Sequence, residues 1–119
     1  MVQKEPASTL VGHFVVQDTQ QSILLPPGRT ELIIGRSDPA DEYFPDVDLT
    51  LYGGEDAGVS RRHARLSIEE GKPYIEDLNS TNFTFMNQQT LLPGKHYSLH
   101  SGDVIQLGRL SLIFVSEYE

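Results

Sequence analysis

Three short stretches of this chain carry polar groups at spacings that a folded core does not require. Ile34-Gly35-Arg36-Ser37 puts an arginine at the end of an apolar run, directly after a glycine. Gly58-Val59-Ser60-Arg61-Arg62-His63 brings a hydroxyl, two guanidinium groups and an imidazole together. Asp77-Leu78-Asn79-Ser80-Thr81-Asn82 adds hydroxyls and side-chain amides, and Asp77 is the only carboxylate in the three stretches. Such an inventory suits a tetrahedral dianion. Arginine forks match phosphate oxygens in shape and charge, hydroxyls can complete the shell, and an asparagine amide can hold a peptide main chain.

Catalytic chemistry has little support. The chain has no G-x-S-x-G elbow, no Walker loop and no cysteine. Ser60 and His63 are three residues apart, but the adjoining arginines favour capture of an anion over a basic imidazole. Zero cysteines exclude a disulfide scaffold, an iron–sulfur cluster and a thiolate zinc site. His96 and His100 lack further ligands, and Asp46-Val47-Asp48 lacks the order of a calcium hand. No metal and no cofactor are expected.

The elements that must position these loops read as strands. Ten Gly and seven Pro in 119 residues leave little room for long helices. In residues 63–69 Ala64, Leu66 and Ile68 alternate with Arg65, Ser67 and Glu69, the period of a half-buried strand. Residues 10–16, 31–34, 72–77, 83–86, 103–107 and 110–115 read likewise, with Gly- and Pro-containing turns between them. Short strands at this spacing indicate an all-β sandwich or barrel, whose end loops can converge on one site. Residues 37–58 differ: seven acids (Asp38, Asp41, Glu42, Asp46, Asp48, Glu55, Asp56) and no Lys or Arg describe a long decorated loop, with a short strand near 48–51. The expected organisation is a flexible segment over 1–9, one domain over 10–116 and a tail over 117–119.

Gly35-Arg36, Ser60-Arg61-Arg62-His63, Asp77 to Asn82 with Thr84-Phe85-Met86-Asn87, and the closing Gly102-Asp103-Val104-Ile105-Gln106-Leu107-Gly108 occur in the order of the forkhead-associated (FHA) domain, which the chain resembles over about residues 10–116. The resemblance implies an all-β sandwich of about eleven mostly antiparallel strands with recognition loops at one end. It also implies a non-catalytic module that binds phosphothreonine peptides, its partner being a Ser/Thr kinase or a kinase substrate. Carried over by position, Arg36 and Ser60 hold the phosphate and Arg61 assists. Thr81 adds a contact beside the phosphothreonine, and Asn82 binds the adjacent peptide backbone. Gly35 and His63 support the loops. Arg62 and Arg65 read as surface residues.

Two positions depart from the family pattern. Phe83 stands where the family has glycine; an aromatic residue at positive φ is an outlier, so the loop is expected to relax to another geometry. The ring either packs on the sandwich and caps the loop or is a candidate partner contact. Gly58 offers no side chain where relatives select a flanking residue of the ligand, and the acidic loop over 37–58 would then favour basic flanks. These departures motivate an alternative, a phosphate-independent interaction or dimerisation module on the same fold. Nine Lys plus Arg against 17 Asp plus Glu give a net charge of −8, which disfavours nucleic acid as a partner. With no apolar run of membrane-spanning length and no hydrophobic leader at the start, the expected setting is cytoplasmic and away from membranes.

Overall fold

Alternation of apolar and polar residues builds two facing sheets. The computed structural model describes residues 9–116, so the expected flexible segment 1–9, apart from Thr9, and the tail 117–119 lie outside the described residues. One sheet contains β1 (Gly12–Val16), β2 (Ser22–Leu24), β7 (Thr84–Met86), β8 (Gln89–Thr90), β10 (Val104–Leu107) and β11 (Leu110–Ser116), in the order β2-β1-β11-β10-β7-β8. The other contains β3 (Glu31–Gly35), β4 (Val47–Asp48), β5 (Ala64–Glu69), β6 (Lys72–Asp77) and β9 (Tyr97–Ser98), in the order β4-β3-β5-β6-β9. The β3–β4 pair is parallel; the other registered pairs are antiparallel. The chain is therefore an all-β sandwich with eleven strands among the described residues.

The inward rows follow from strand register. Leu32, Leu66 and Ile75 lie opposite one another across β3, β5 and β6, all fully buried. Facing them, Phe14 pairs with Phe114 across β1 and β11, with ring centroids 5.6 Å apart. The next inward row, Ile34–Ala64–Asp77, ends in a buried carboxylate at the end of the sandwich where the loops meet. Loops 35–38, 57–63 and 77–83 emerge beside that row.

The acidic segment is more ordered than a solvated loop. Besides β4 it forms short 3-10 turns at Pro39–Asp41 and Thr50–Tyr52. Asp46 accepts the Ile33 N–H at 2.7 Å and pairs with Arg29 at 3.0 Å. Asp48 accepts the N–H groups of Ser37 and Thr50 at 3.1 and 3.0 Å. Partial burial opposes its charge, but the hydrogen bonds from Thr50 and Ser37 prevail and lower its pKa. Carboxylates here fasten the loop's own backbone to β3.

Candidate functional site

Each of the three motifs is held by main-chain contact with another. Arg36 follows β3, and its N–H donates to the Ser60 carbonyl at 3.2 Å while its Nε donates to the Val59 carbonyl at 2.9 Å. Among the described residues, neither terminal nitrogen of that guanidinium is hydrogen-bonded. The approach is so close that a Cβ on Gly35 would sit 1.8 Å from the Arg61 carbonyl oxygen, so only glycine fits there. Gly35 therefore supports the site through its missing side chain.

His63 is fully buried and braces two loops at once. The Ser60 backbone N–H donates to its Nδ1 at 2.9 Å, which leaves the ring proton on Nε2 to donate to the Phe83 carbonyl at 2.9 Å. Burial lowers its pKa, opposed by the bond to Phe83 and the charge of Asp77, so the imidazole stays neutral. Both nitrogens are spent on backbone groups. No Ser60–His63 nucleophile pair exists, because the ring contacts the Ser60 amide and not its hydroxyl.

Asp77 organises the third loop from below. Its buried carboxylate accepts the Ser80 N–H at 3.1 Å, the Thr84 hydroxyl at 2.7 Å and the Ser80 hydroxyl. Above it, the Thr81 N–H donates to Ser60 Oγ at 3.2 Å. Among the described residues the Ser60 hydroxyl donates to no acceptor, so its proton can turn towards the depression. Asn82 Nδ2 donates to the Gly58 carbonyl at 3.0 Å, leaving the amide oxygen available to a peptide.

Arg36, Ser60, Arg61, Arg62, Asn79 and Thr81 line one open depression of about 400 Å³. The structure thus brings together four of the residues singled out from sequence, with Asn82 adjoining through Gly58. Arg62 and Asn79, which the sequence reading did not single out for the site, also line it. Two consecutive arginines look alike in sequence, and Asn79 reaches the rim through a left-handed backbone, φ 59°. Arg65 is not a plain surface residue: it is part-buried and pairs with Glu31 and Glu76, each at 3.2 Å. His96 lies 3.0 Å from Glu69 and 3.3 Å from Glu76, and no group of three or more His, Cys, Asp or Glu among the described residues is arranged to hold a metal ion.

The two departures have physical reasons. Phe83 does not relax: it keeps φ at 68° because its carbonyl accepts from both His63 Nε2 and the Gly108 N–H, the latter at 3.1 Å. Nor does its ring enter the sandwich. It is 54% exposed and leans edge-on against Phe85, centroids 6.5 Å apart. Gly58 adopts φ 84°, and a Cβ there would lie 2.6 Å from Asn82 Nδ2. The glycine is needed to seat Asn82.

Comparison with known proteins places this geometry in a family. The family model for the FHA domain matches residues 32–108, and the chain belongs to that family. It is 38% identical over 104 residues to the protein FraH of a Nostoc species, covering 87% of this chain and 35% of FraH. It is 32% identical over 104 residues to the glycogen accumulation regulator GarA of Mycobacterium tuberculosis, covering 77% of this chain and 60% of GarA. The chain therefore spans about a third of one curated relative and three fifths of the other. Among solved structures, an FHA domain from work on phosphothreonine-dependent FHA domain interactions superposes with a TM-score of 0.68 at 29% identity, covering 92% of this chain and 99% of that one. Among the described residues no helix is long and apolar enough to cross a membrane.

Proposed function

We propose that this domain is a non-catalytic module that binds phosphothreonine in a partner protein, the partner being a Ser/Thr kinase or a substrate of one. The observation that carries the reading is the pairing of Arg36 and Ser60 across one open depression, where among the described residues neither the arginine's terminal nitrogens nor the serine's hydroxyl proton has a hydrogen-bond partner. A phosphate near −2 is the anion such donors fit best. A second guanidinium from the Arg61–Arg62 pair stands beside them, and Thr81 completes the rim. Asn82 then holds the ligand main chain, and the exposed Phe83 ring lies next along the chain as a contact for a neighbouring ligand side chain. Membership of the FHA family and the likeness to a domain from phosphothreonine-dependent interactions support the same reading. Preference for threonine over serine is worth only about 1 kcal/mol, the value of one buried methyl.

Titration of the ¹⁵N-labelled domain with matched phosphorylated and unphosphorylated threonine peptides tests it. Amide shifts at Arg36, Ser60 and Asn82 that need the phosphate support the proposal. Equal responses to both peptides support the phosphate-independent alternative.

A further inference from the structure

The two sheets turn unlike faces to solvent. On the outside of the five-stranded sheet, register places Glu31, Arg65, Glu69, Lys72 and Glu76 together, the usual polar face of a half-solvated sheet. The six-stranded sheet breaks that pattern. None of the residues in β1, β2, β7, β8, β10 and β11 is Asp, Glu, Lys or Arg. Phe14, Leu112 and Phe114 are buried on its inner face, so the alternate residues form the outer rows. One row runs Leu24–His13–Val115 and the next Ser22–Val15–Ile113–Val104. A third runs Ser111–Gln106–Phe85–Thr90. Leu24 is 78% exposed, and Val15, Val104, Ile113, Val115 and Phe85 each keep part of their surface in water.

A contiguous apolar face of this kind marks an interaction surface. It carries no carboxylate, ammonium or guanidinium for a charged partner to complement, and no Lys or Arg for a lipid surface. It does complement itself. Two copies stacked about a twofold axis bury like against like. The charged outer faces of their five-stranded sheets then point away from each other, the arrangement in which two chains of net −8 repel least. Six strands about 4.8 Å apart and up to about 20 Å long project to about 500 Å² before side-chain relief is added, of the order of the roughly 800 Å² per partner in a standard interface. We propose that the outer face of the six-stranded sheet is a dimer interface, and that its partner is a second copy of this chain. The proposal does not rest on the phosphothreonine reading. The recognition loops emerge at the end of the sandwich, so each copy keeps its own open depression.

Sedimentation equilibrium of the full chain from about 1 µM to about 1 mM, with ¹⁵N amide shifts followed over the same dilution, tests it. The mass is expected to rise to twice that of the chain, with dilution shifts concentrated on β1, β10 and β11. Ile113→Lys sets a charge in the middle of the face and is expected to weaken the dimer at least ~hundredfold. Leu24→Lys, at an exposed position, should weaken it about tenfold with an unchanged thermal melt, so it reads the same contact where Ile113→Lys lowers the stability of the fold. Lys72→Gln, on the other sheet, should stay within about threefold. A chain that remains monomeric to about 1 mM overturns the proposal and leaves the face to another protein or to the chain's own terminal residues. A dimer weakened by Leu24→Lys but not by a folded Ile113→Lys overturns it too, because that is edge-to-edge pairing along β2. Dilution shifts confined to the five-stranded sheet do the same.

Discussion

On the proposed reading, Arg36 is the side chain on which phosphate capture depends most. Its Nε is fixed by the Val59 carbonyl, so only its terminal nitrogens change partner on binding. Arg36→Ala is expected to cost about 1.5–3 kcal/mol of phosphopeptide affinity, measurable by calorimetry, with little loss of fold stability. Gly58→Ala works differently. It forces an alanine to φ 84° and drives a methyl into Asn82 Nδ2, so stability should fall by about 1–2 kcal/mol and affinity should fall as Asn82 moves. A thermal melt alongside the binding assay separates the two effects. Phe83→Gly relieves a left-handed aromatic but removes the edge contact to Phe85, terms of about 1 kcal/mol each and opposite sign. Near-unchanged stability is therefore expected, and any drop in phosphopeptide affinity then reports ring–ligand contact.

At the scale of elements, His63 couples two loops to pH. Its pKa is lowered in the folded state, so below the ordinary value of 6.5 the unfolded chain takes up a proton that the native imidazole refuses. Stability should therefore fall as pH drops from 6.5 towards 5, by at most about 1.4 kcal/mol per pH unit. His96 acts in the opposite sense. Its hydrogen bond to Glu69 raises its pKa, giving stability that is full below 6.5 and lost as pH rises; its exposure keeps that contribution small. Urea unfolding of the His63→Asn and His96→Gln variants between pH 5 and 7.5 checks both: the first should flatten the acid slope and the second steepen it. The elements that build this scaffold were legible wherever alternation ran long enough. The bounds of β6 match the sequence reading to the residue, and β3, β5, β10 and β11 agree within one. By contrast β2, β8 and β9 are two or three residues long, too short to show a period, and their pairing is decided by neighbours distant in sequence. The site was legible to the same depth. Motifs located its three loops, but the carboxylates that pair with Arg61, Asp38 and Asp41, lie 23 and 20 residues away, and only the folded chain shows that contact.

For the whole molecule the governing quantity is charge. A net −8 chain that captures a dianion works against its own field, so binding depends on the local arginines prevailing over the distant acids. Ligands with Lys flanking the phosphothreonine are therefore expected to bind more tightly than Glu-flanked ones at low salt, and the gap should close as ionic strength rises. Equal affinities at low salt would remove the acidic segment from ligand selection and leave its carboxylates the structural tasks seen for Asp46 and Asp48. The fold places loops from three separate stretches at one end of two sheets, and the proposed function rests on that meeting point and not on a sheet face. The most direct measurement is the crystal structure of the domain with a phosphothreonine peptide. The expected result puts phosphate oxygens within hydrogen-bond distance of the Arg36 terminal nitrogens and Ser60 Oγ. A peptide lying on a sheet face or edge, with its phosphate in solvent, would contradict it.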